Sequence, residues 1–234
     1  MPRYSRNIML PEIGEEGQRR LARASVLIVG CGALGTVCAM QLAGTGVGRI
    51  GLVDFDTVDI SNLQRQIVFT TADVGKKKAQ TLAERIHALN PDIQVDVHDL
   101  FLSGKKVIEV IAPYDVIIEG SDNPDTKYLL SQSCRETGKP CCMGGIFGTN
   151  GQALTFVPGH ASYSDFFPVG ASAGGFTPCA LGGVLGPLPG IIGSIQSTEV
   201  IKLIVGFGEP LVDRLLTVDA STMTFRTFSI ANSE

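Results

Sequence analysis

The stretch from Ser25 to Asp54 constrains the fold of this chain more tightly than any other. Ser25-Val-Leu-Ile-Val29 is a continuous apolar run ending at Gly30, the pattern of a strand buried on both faces. Gly30-Cys-Gly-Ala-Leu-Gly35 then opens a helix that should reach about Ala43, and Arg49-Ile-Gly-Leu-Val-Asp54 supplies a second strand. Strand, glycine turn, helix and strand in thirty residues make a βαβ unit, whose crossover should be right-handed. A GxGxxG turn in that place lets a backbone approach phosphates and aims helix N-terminal amides at them. Asp54, nineteen residues after Gly35, stands where a carboxylate can accept hydrogen bonds from ribose hydroxyls. The turn glycines Gly30, Gly32 and Gly35, with Asp54, are therefore candidate nucleotide contacts; at this point NAD and ATP fit equally well.

The same alternation continues along the chain. A charged helix is expected over about Glu15 to Arg23, entered from a turn at Pro11–Gly14. Gly75 to Leu89 shows helical spacing through Ala79, Leu82, Ala83 and Ile86 and stops at Asn90-Pro91. Ile93–Val97 alternates as a strand, Lys105–Ile111 suits a helix, and Tyr114–Ile118 is a third buried strand ending at Glu119-Gly-Ser-Asp122. A helix from Thr126 to Thr137 and a strand near Pro140–Met143 follow. Strands near Gln152–Val157, Leu215–Asp219 and Thr224–Ile230 and a helix near Ile191–Val205 give the second half a different character. The expected fold is α/β, Rossmann-like, with a mixed sheet whose C-terminal strands are partly antiparallel. The 234 residues suit one continuous domain: a helical arm (1–24), a βαβ nucleotide-binding part (25–146) and a third part of different character (147–234).

Charge and cysteine usage exclude several classes. A net charge of −4 argues against a nucleic-acid binder that works by general phosphate attraction. Six cysteines contain no CxxC pair, so reduced thiols in a cytoplasmic protein are expected. Residues 140–198 carry one formal charge, Asp165, but glycines and six prolines break the stretch, so no single spanning helix fits it. Met1 to Arg23 mixes acids and bases without an apolar core and reads as neither signal nor anchor.

Cations separate the two nucleotides. Asp54-Phe-Asp-Thr-Val-Asp-Ile-Ser-Asn-Leu-Gln-Arg-Gln66 packs three acids, an amide and an arginine onto one loop, and Lys76, Lys77 and Lys78 open the next helix. Lysines at a helix N-terminus oppose the macrodipole, so an anion partner is expected there. A dehydrogenase has no use for such a cluster. A triphosphate whose α-phosphorus must accept a nucleophile does, because charge develops on its oxygens.

With these residues in place the chain resembles the ThiF/MoeB/HesA group, prokaryotic relatives of ubiquitin-activating enzymes. The likeness rests on Arg3-Tyr-Ser-Arg-Asn-Ile-Met-Leu-Pro-Glu-Ile-Gly14, the glycine turn, Leu52-Val-Asp-Phe-Asp56, Ser61-Asn-Leu-Gln-Arg-Gln66, Val74-Gly75 with Lys78-Ala79, and Asp122-Asn123. Gly183-Val-Leu-Gly-Pro187, Glu199-Val-Ile-Lys-Leu203 and Gly208-Glu-Pro210 extend it almost to the end. Family members adenylate the C-terminal carboxylate of a small ubiquitin-like sulfur carrier ending in Gly-Gly, in thiamine or molybdopterin synthesis. The resemblance implies that Gly32 and Ala33 contact phosphate or adenosine and Asp54 the ribose. Asn62, Arg65 and Lys78 would hold the triphosphate, with Gln66 and Asn123 beside them in their motifs, and Asp122 would bind Mg²⁺. Arg6 would reach the triphosphate of a partner subunit, which implies a homodimer, and the resemblance assigns carrier binding and dimer contact to the part 147–234. The attacking carboxylate is already ionised at neutral pH and needs no general base, so His87, His98 and His160 are expected to be structural or exposed.

Two departures stand out. Most relatives hold a structural zinc with two CxxC pairs; here Ser162-Tyr-Ser-Asp165 occupies the place of the first and no cysteine follows Cys179, so no zinc is expected. Cys179 is a candidate for a covalent link to the carrier or to a sulfur donor such as a sulfurtransferase or cysteine desulfurase, or a spectator thiol. The apolar residues of 140–198 are expected to form a dimer contact and the floor of a groove for a glycine-rich tail, or simply to pack the core. Adenylation of a peptide C-terminus, a catalytically inactive nucleotide-binding partner and an NAD-dependent oxidoreductase are the competing readings.

Overall fold

The computed structural model describes residues 2–104, 106–168 and 183–230, with Pro2 as backbone only. Two helices, α1 (Ser5–Ile8) and α2 (Gly14–Arg23), precede the first strand. The nucleotide-binding pattern follows as β1 (Ser25–Val29), α3 (Ala33–Thr45), β2 (Arg49–Val53), α4 (Lys78–Leu89), β3 (Gln94–His98), α5 (Lys106–Ile111), β4 (Val116–Glu119) and α6 (Pro124–Thr137). The second half contributes β5 (Cys141–Phe147), β6 (Asn150–Phe156), α7 (Tyr163–Phe166), α8 (Leu188–Val205), β7 (Arg214–Asp219) and β8 (Thr224–Ser229). One eight-stranded sheet collects all the strands in the order β3-β2-β1-β4-β5-β6-β7-β8. Its first five strands run parallel and the last three add antiparallel, as the mixed-sheet expectation required.

The apolar run of β1 divides between two layers. Val26 and Ile28 pack with α2, α3, α4 and α8 through Leu21, Leu42, Leu82, Ile86 and Val200. Leu27 and Val29 pack with α5, α6 and α7 through Val107, Ile111, Leu130, Cys134 and Tyr163. Both faces being covered, every residue of β1 is buried, which is why the strand reads as continuously apolar. Cys31, Cys38, Cys134, Cys141 and Cys142 are all buried free thiols in this packing. Helix α8 is long and apolar enough to cross a membrane by length and composition, yet half of it is buried against α3, β5 and β6. Its Glu199 accepts hydrogen bonds from Thr155 Oγ1 (2.7 Å) and the Leu211 amide (2.5 Å), tying the helix to β6 and to the segment before β7.

Helix α4 begins three residues later than its spacing suggests. The amides of Val58 and Gly75 exchange hydrogen bonds with the carbonyls of Lys76 and Val58, both 2.8 Å, and Thr57 bridges to Lys77. Gly75 at φ +88° makes that reversal possible. Residues 75–77 thus pair with the loop after β2 instead of entering the helix.

The N-terminal arm is fixed far from the start of α3. Asn90 Nδ2 donates to Tyr4 Oη (2.7 Å) and Asn7 Nδ2 to the Thr45 carbonyl (3.2 Å), so α1 sits at the C-terminal ends of α3 and α4. The thirteen residues of α3 put about 20 Å between that end and the glycine turn.

Candidate nucleotide and acyl-transfer site

The order 3-2-1-4 places a topological switch between β1 and β4, and a crevice of about 350 Å³ opens at the carboxyl ends of those strands. Glycine forms its back wall for steric reasons. Gly30 has φ +91°, and a Cβ there would stand 2.9 Å from the Ser121 amide nitrogen. A Cβ on Gly35 would stand 1.8 Å from the Gly30 carbonyl oxygen, so only glycine lets α3 lie this close to β1. Gly32 is the N-cap of α3 and has room beside it, the nearest neighbour of a Cβ being Gln66 Nε2 at 3.6 Å. The first amides of α3 therefore face the crevice, ready for an anion.

Asp54, expected at the ribose, also holds the turn in shape. Its Oδ2 accepts from the Cys31 amide (2.7 Å) and its Oδ1 from the Asp56 amide (2.8 Å). Burial raises its pKa, and those two amides and Lys78 pull it partly back. Asn62, Arg65 and Gln66 come from the loop after β2, where Asp59 and Asn62 cap a short turn by accepting each other's backbone amides. Among the described residues Arg65 donates only to the carbonyl of Ser61 (3.0 Å) and has no carboxylate partner. Gln66 is 4% exposed, and its Oε1 is one of two buried side-chain atoms without a hydrogen-bond partner among the described residues.

Only one of the three lysines lines the crevice. Lys78 is buried there and donates to Asp56 Oδ2 (3.0 Å). Lys76 pairs with Asp73 (3.0 Å), and Lys77 with Asp99 (3.0 Å) and the Phe55 carbonyl, because residues 75–77 are paired to Thr57–Val58 and point their side chains elsewhere. Lys78, the one in the crevice lining, is also the one of the three that the family resemblance assigns to the triphosphate. Asp122, also in the lining, is exposed and accepts no hydrogen bond among the described residues, while Asn123 caps α6 by accepting from the Asp125 amide (2.9 Å). Ala33 completes the lining with Gly30, Gly32, Asp54, Asn62, Arg65, Gln66, Lys78, Asp122 and Asn123.

Arg6 does not line this crevice; it is exposed on α1, at the far ends of α3 and α4. None of the three histidines does either. His98 hydrogen-bonds Tyr114 Oη (3.0 Å), His160 pairs with Asp213 (2.7 Å), and His87 is exposed. Cys179 lies outside the described residues, as do residues 169–182 of the uncharged stretch. Ser162 and Asp165 form a capping box at α7, Ser162 N–H donating to Asp165 Oδ2 at 2.7 Å. Gly183–Pro187 borders the crevice through Val184, whose carbonyl accepts from Gln64 Nε2 (3.5 Å).

Two groups of residues at the crevice, an aromatic pair in its lining and an ion pair whose lysine alone lines it, escaped the sequence. Phe55 and Phe101, each half exposed, meet edge to face at 5.3 Å beside Leu100 and Leu102 and make an apolar end to the crevice, near Asp54. Lys127 and Glu119 form a buried ion pair at its floor. A lysine in the first turn of α6, against the macrodipole, was the available signal for the second group.

The crevice fits a nucleoside triphosphate with a divalent cation on its donor set. It offers helix amides, a buried lysine and a guanidinium without a carboxylate partner among the described residues to phosphate, and the similarly unpartnered Asp122 carboxylate to a cation that keeps most of its ligands as phosphate and water. No group of three His, Cys, Asp or Glu placed to hold a metal alone occurs among the described residues.

Several known proteins are similar to this chain in sequence or in fold. The probable adenylyltransferase/sulfurtransferase MoeZ of Mycobacterium tuberculosis is 44% identical over 233 residues, covering 97% of this chain, and the chain spans only 59% of that relative. The sulfur carrier protein adenylyltransferase of Thermus thermophilus is 39% identical over 236 residues, covering 98% of this chain and 87% of the relative. Among solved structures, E. coli MccB with ATP superposes at a TM-score of 0.84 with 22% identity, over 99% of this chain and 71% of that one, a likeness of fold. The ThiF family matches from residue 4 to residue 234, and the chain belongs to it.

Proposed function

We propose that this protein is an ATP-dependent adenylyltransferase that activates the C-terminal Gly-Gly carboxylate of a small ubiquitin-like sulfur carrier, in thiamine or molybdopterin biosynthesis. The observation that carries the reading is the presence of two charges uncommitted among the described residues, Arg65 and Asp122, in the lining of one crevice backed by a glycine turn. Oxidoreductase chemistry would leave both without a task.

In this reading a carboxylate oxygen of the carrier attacks the α-phosphorus, the bond from the α-phosphorus to the α,β-bridging oxygen breaks, and pyrophosphate leaves with the electron pair. Two anions must be brought together, so the site has to neutralise repulsion and enforce an in-line approach. Arg65, Lys78 and the α3 amides stabilise charge developing on phosphate, Asn62 orients it, and Asp54 holds the ribose while fixing the turn. Gly32 and Ala33 admit the phosphates to backbone contact. Asp122 would hold Mg²⁺, which when bound screens the β- and γ-phosphates. No histidine is needed, since no proton moves.

Arg6 belongs to this site only from a second copy, because α1 lies about 20 Å from its own crevice. A homodimer in which each arm serves its partner satisfies that distance. Cys179 is the proposed point of covalent sulfur or acyl transfer, with a sulfurtransferase or cysteine desulfurase as donor. The name of the Mycobacterium relative, which includes a sulfurtransferase, supports this pairing. The reading includes no structural zinc, since Ser162 and Asp165 are engaged with each other, and it places the protein in the cytoplasm.

The test is ATP–pyrophosphate exchange with carrier proteins ending in Gly-Gly, each beside a version lacking those two residues. Exchange that requires the intact tail supports the proposal and names the pathway. ATP binding without exchange from any carrier overturns it in favour of a peptide substrate or an inactive partner.

A further inference from the structure

Beneath the crevice, Lys127 spends all three donors of its ammonium group inside the protein. It pairs with Glu119 and donates to the carbonyls of Ser121 (2.9 Å) and Gly144 (2.6 Å). Glu119 is fully buried and in turn accepts from the Ser121 amide (2.8 Å) and hydroxyl. Gln196 of α8 donates to the Glu119 carbonyl (2.8 Å) and the Cys142 carbonyl (3.2 Å), locking β4 to β5 below the pair. Saturated in this way, Lys127 has no proton left for a phosphate.

What it joins is informative. Ser121 immediately precedes Asp122, and Gly144 immediately precedes Gly145. Gly145 and Ile146 line both the nucleotide crevice and a second groove that runs across the antiparallel strands past Gln152, Thr217 and Arg226. One ammonium therefore bridges the cation-side loop and the strand at which the two cavities meet. A buried ion pair is a poor source of stability, since apolar side chains of similar volume serve as well or better. Its place between two walls of a reacting site points to geometry instead.

We propose that Lys127, anchored by Glu119, is a positioning residue that sets the spacing between Asp122 and the Gly144–Gly145 edge of β5, so that triphosphate and acyl carboxylate meet in line. The inference rests on the proposed adenylation. Its consequence is a defect in turnover and in the response to Mg²⁺, with the nucleotide contacts themselves left in place. Misplacement by about 1 Å is enough to cost on the order of 10²-fold in rate.

The experiment compares the intact protein with Lys127→Met, Lys127→Arg and the double variant Glu119→Leu/Lys127→Met. For each, the melting temperature, ATP affinity with and without Mg²⁺, and kcat and KM of carrier-dependent exchange are measured. Lys127→Met should lower kcat by about 10²-fold, keep its metal-free ATP affinity, and lose the gain in affinity that Mg²⁺ gives the parent. Lys127→Arg, which keeps charge and donors, should recover most of the loss. The double variant should melt no lower than the parent yet remain slow, which a purely stabilising role would not produce. If Lys127→Met does not fold, the double variant decides the matter alone. Parental kcat and Mg²⁺ response in either apolar variant overturn the inference, as does an ATP affinity of the parent that ignores Mg²⁺. If the parent exchanges with no carrier, the proposed activity fails instead, and the Mg²⁺ titration still judges the role of Lys127.

Discussion

Gly35 and Gly32 belong to one motif but are required for different reasons, and alanine at each should separate them. At Gly35 a Cβ would lie 1.8 Å from the Gly30 oxygen and 2.9 Å from its carbon, both backbone atoms that cannot rotate away. Ordinary contact begins near 3.4 Å, so α3 would have to retreat from β1 by about 1.6 Å along that line. Over-packing against a rigid neighbour costs about 3 kcal/mol, and in a chain of this size that lowers the melting temperature by about 6–12 °C. The retreat also carries the first amides of α3 away from the phosphate position, so ATP affinity should fall with stability. At Gly32, by contrast, φ is −90° and the nearest atom is 3.6 Å away. Gly32→Ala should melt within about 4 °C of the parent and yet bind ATP at least about tenfold more weakly, since a methyl group stands where phosphate meets the amides. Thermal unfolding by circular dichroism and calorimetric titration of ATP read the two effects. A Gly35→Ala protein with parental melting, or a Gly32→Ala protein with parental ATP affinity, would refute the steric account.

Arg65→Ala should leave stability within about 0.5 kcal/mol, because its one hydrogen bond among the described residues is local, while exchange falls by about 10²–10³-fold; Asp122→Ala should behave alike, and retained exchange in both would remove the assignment. If Arg6 serves the partner's site, an equal mixture of Arg6→Ala and Arg65→Ala subunits regains about a quarter of parental exchange, as half the dimers then hold one complete site. No recovery after subunit exchange would place Arg6 in its own site or outside the reaction. Asp73, 2% exposed, accepts from Lys76, Thr70 and Arg85, and the Lys76 ammonium above all holds its carboxyl well below the usual range. A depressed pKa stabilises the fold fully above the ordinary carboxylate value and loses that contribution as pH falls toward the lowered one. Asp73→Asn should therefore cost about 2 kcal/mol at pH 7, with the gap to the parent closing below about pH 4; a gap that stays constant down to pH 2 would contradict this.

Much of the site was legible because its parts are local. The Gly30–Gly35 turn announces itself by the spacing of its own glycines, although Asp54 and Ser121 also shape it, and the loop carrying Asn62, Arg65 and Gln66 is shaped by its own Asp59 cap. The strands β1, β2 and β4 were readable because burial on both faces leaves unbroken apolar runs. Where contacts are distant, the sequence was silent or misleading. Three consecutive lysines read as one cluster, but pairing of residues 75–77 with Thr57–Val58 turned two of them away. The start of α4 moved for the same reason.

Local order along the chain determined that this protein has a βαβ nucleotide unit, a mixed sheet and a set of charges suited to a triphosphate. Only the tertiary structure decided which of those charges share a crevice, that Arg6 is held at its far side, and that Glu119 and Lys127 meet beneath it. Dihedral preference and hydrophobic period act over a few residues and are written in the sequence directly. The partner of a buried charge is chosen by which elements the sheet order brings together, and no spacing along the chain records that.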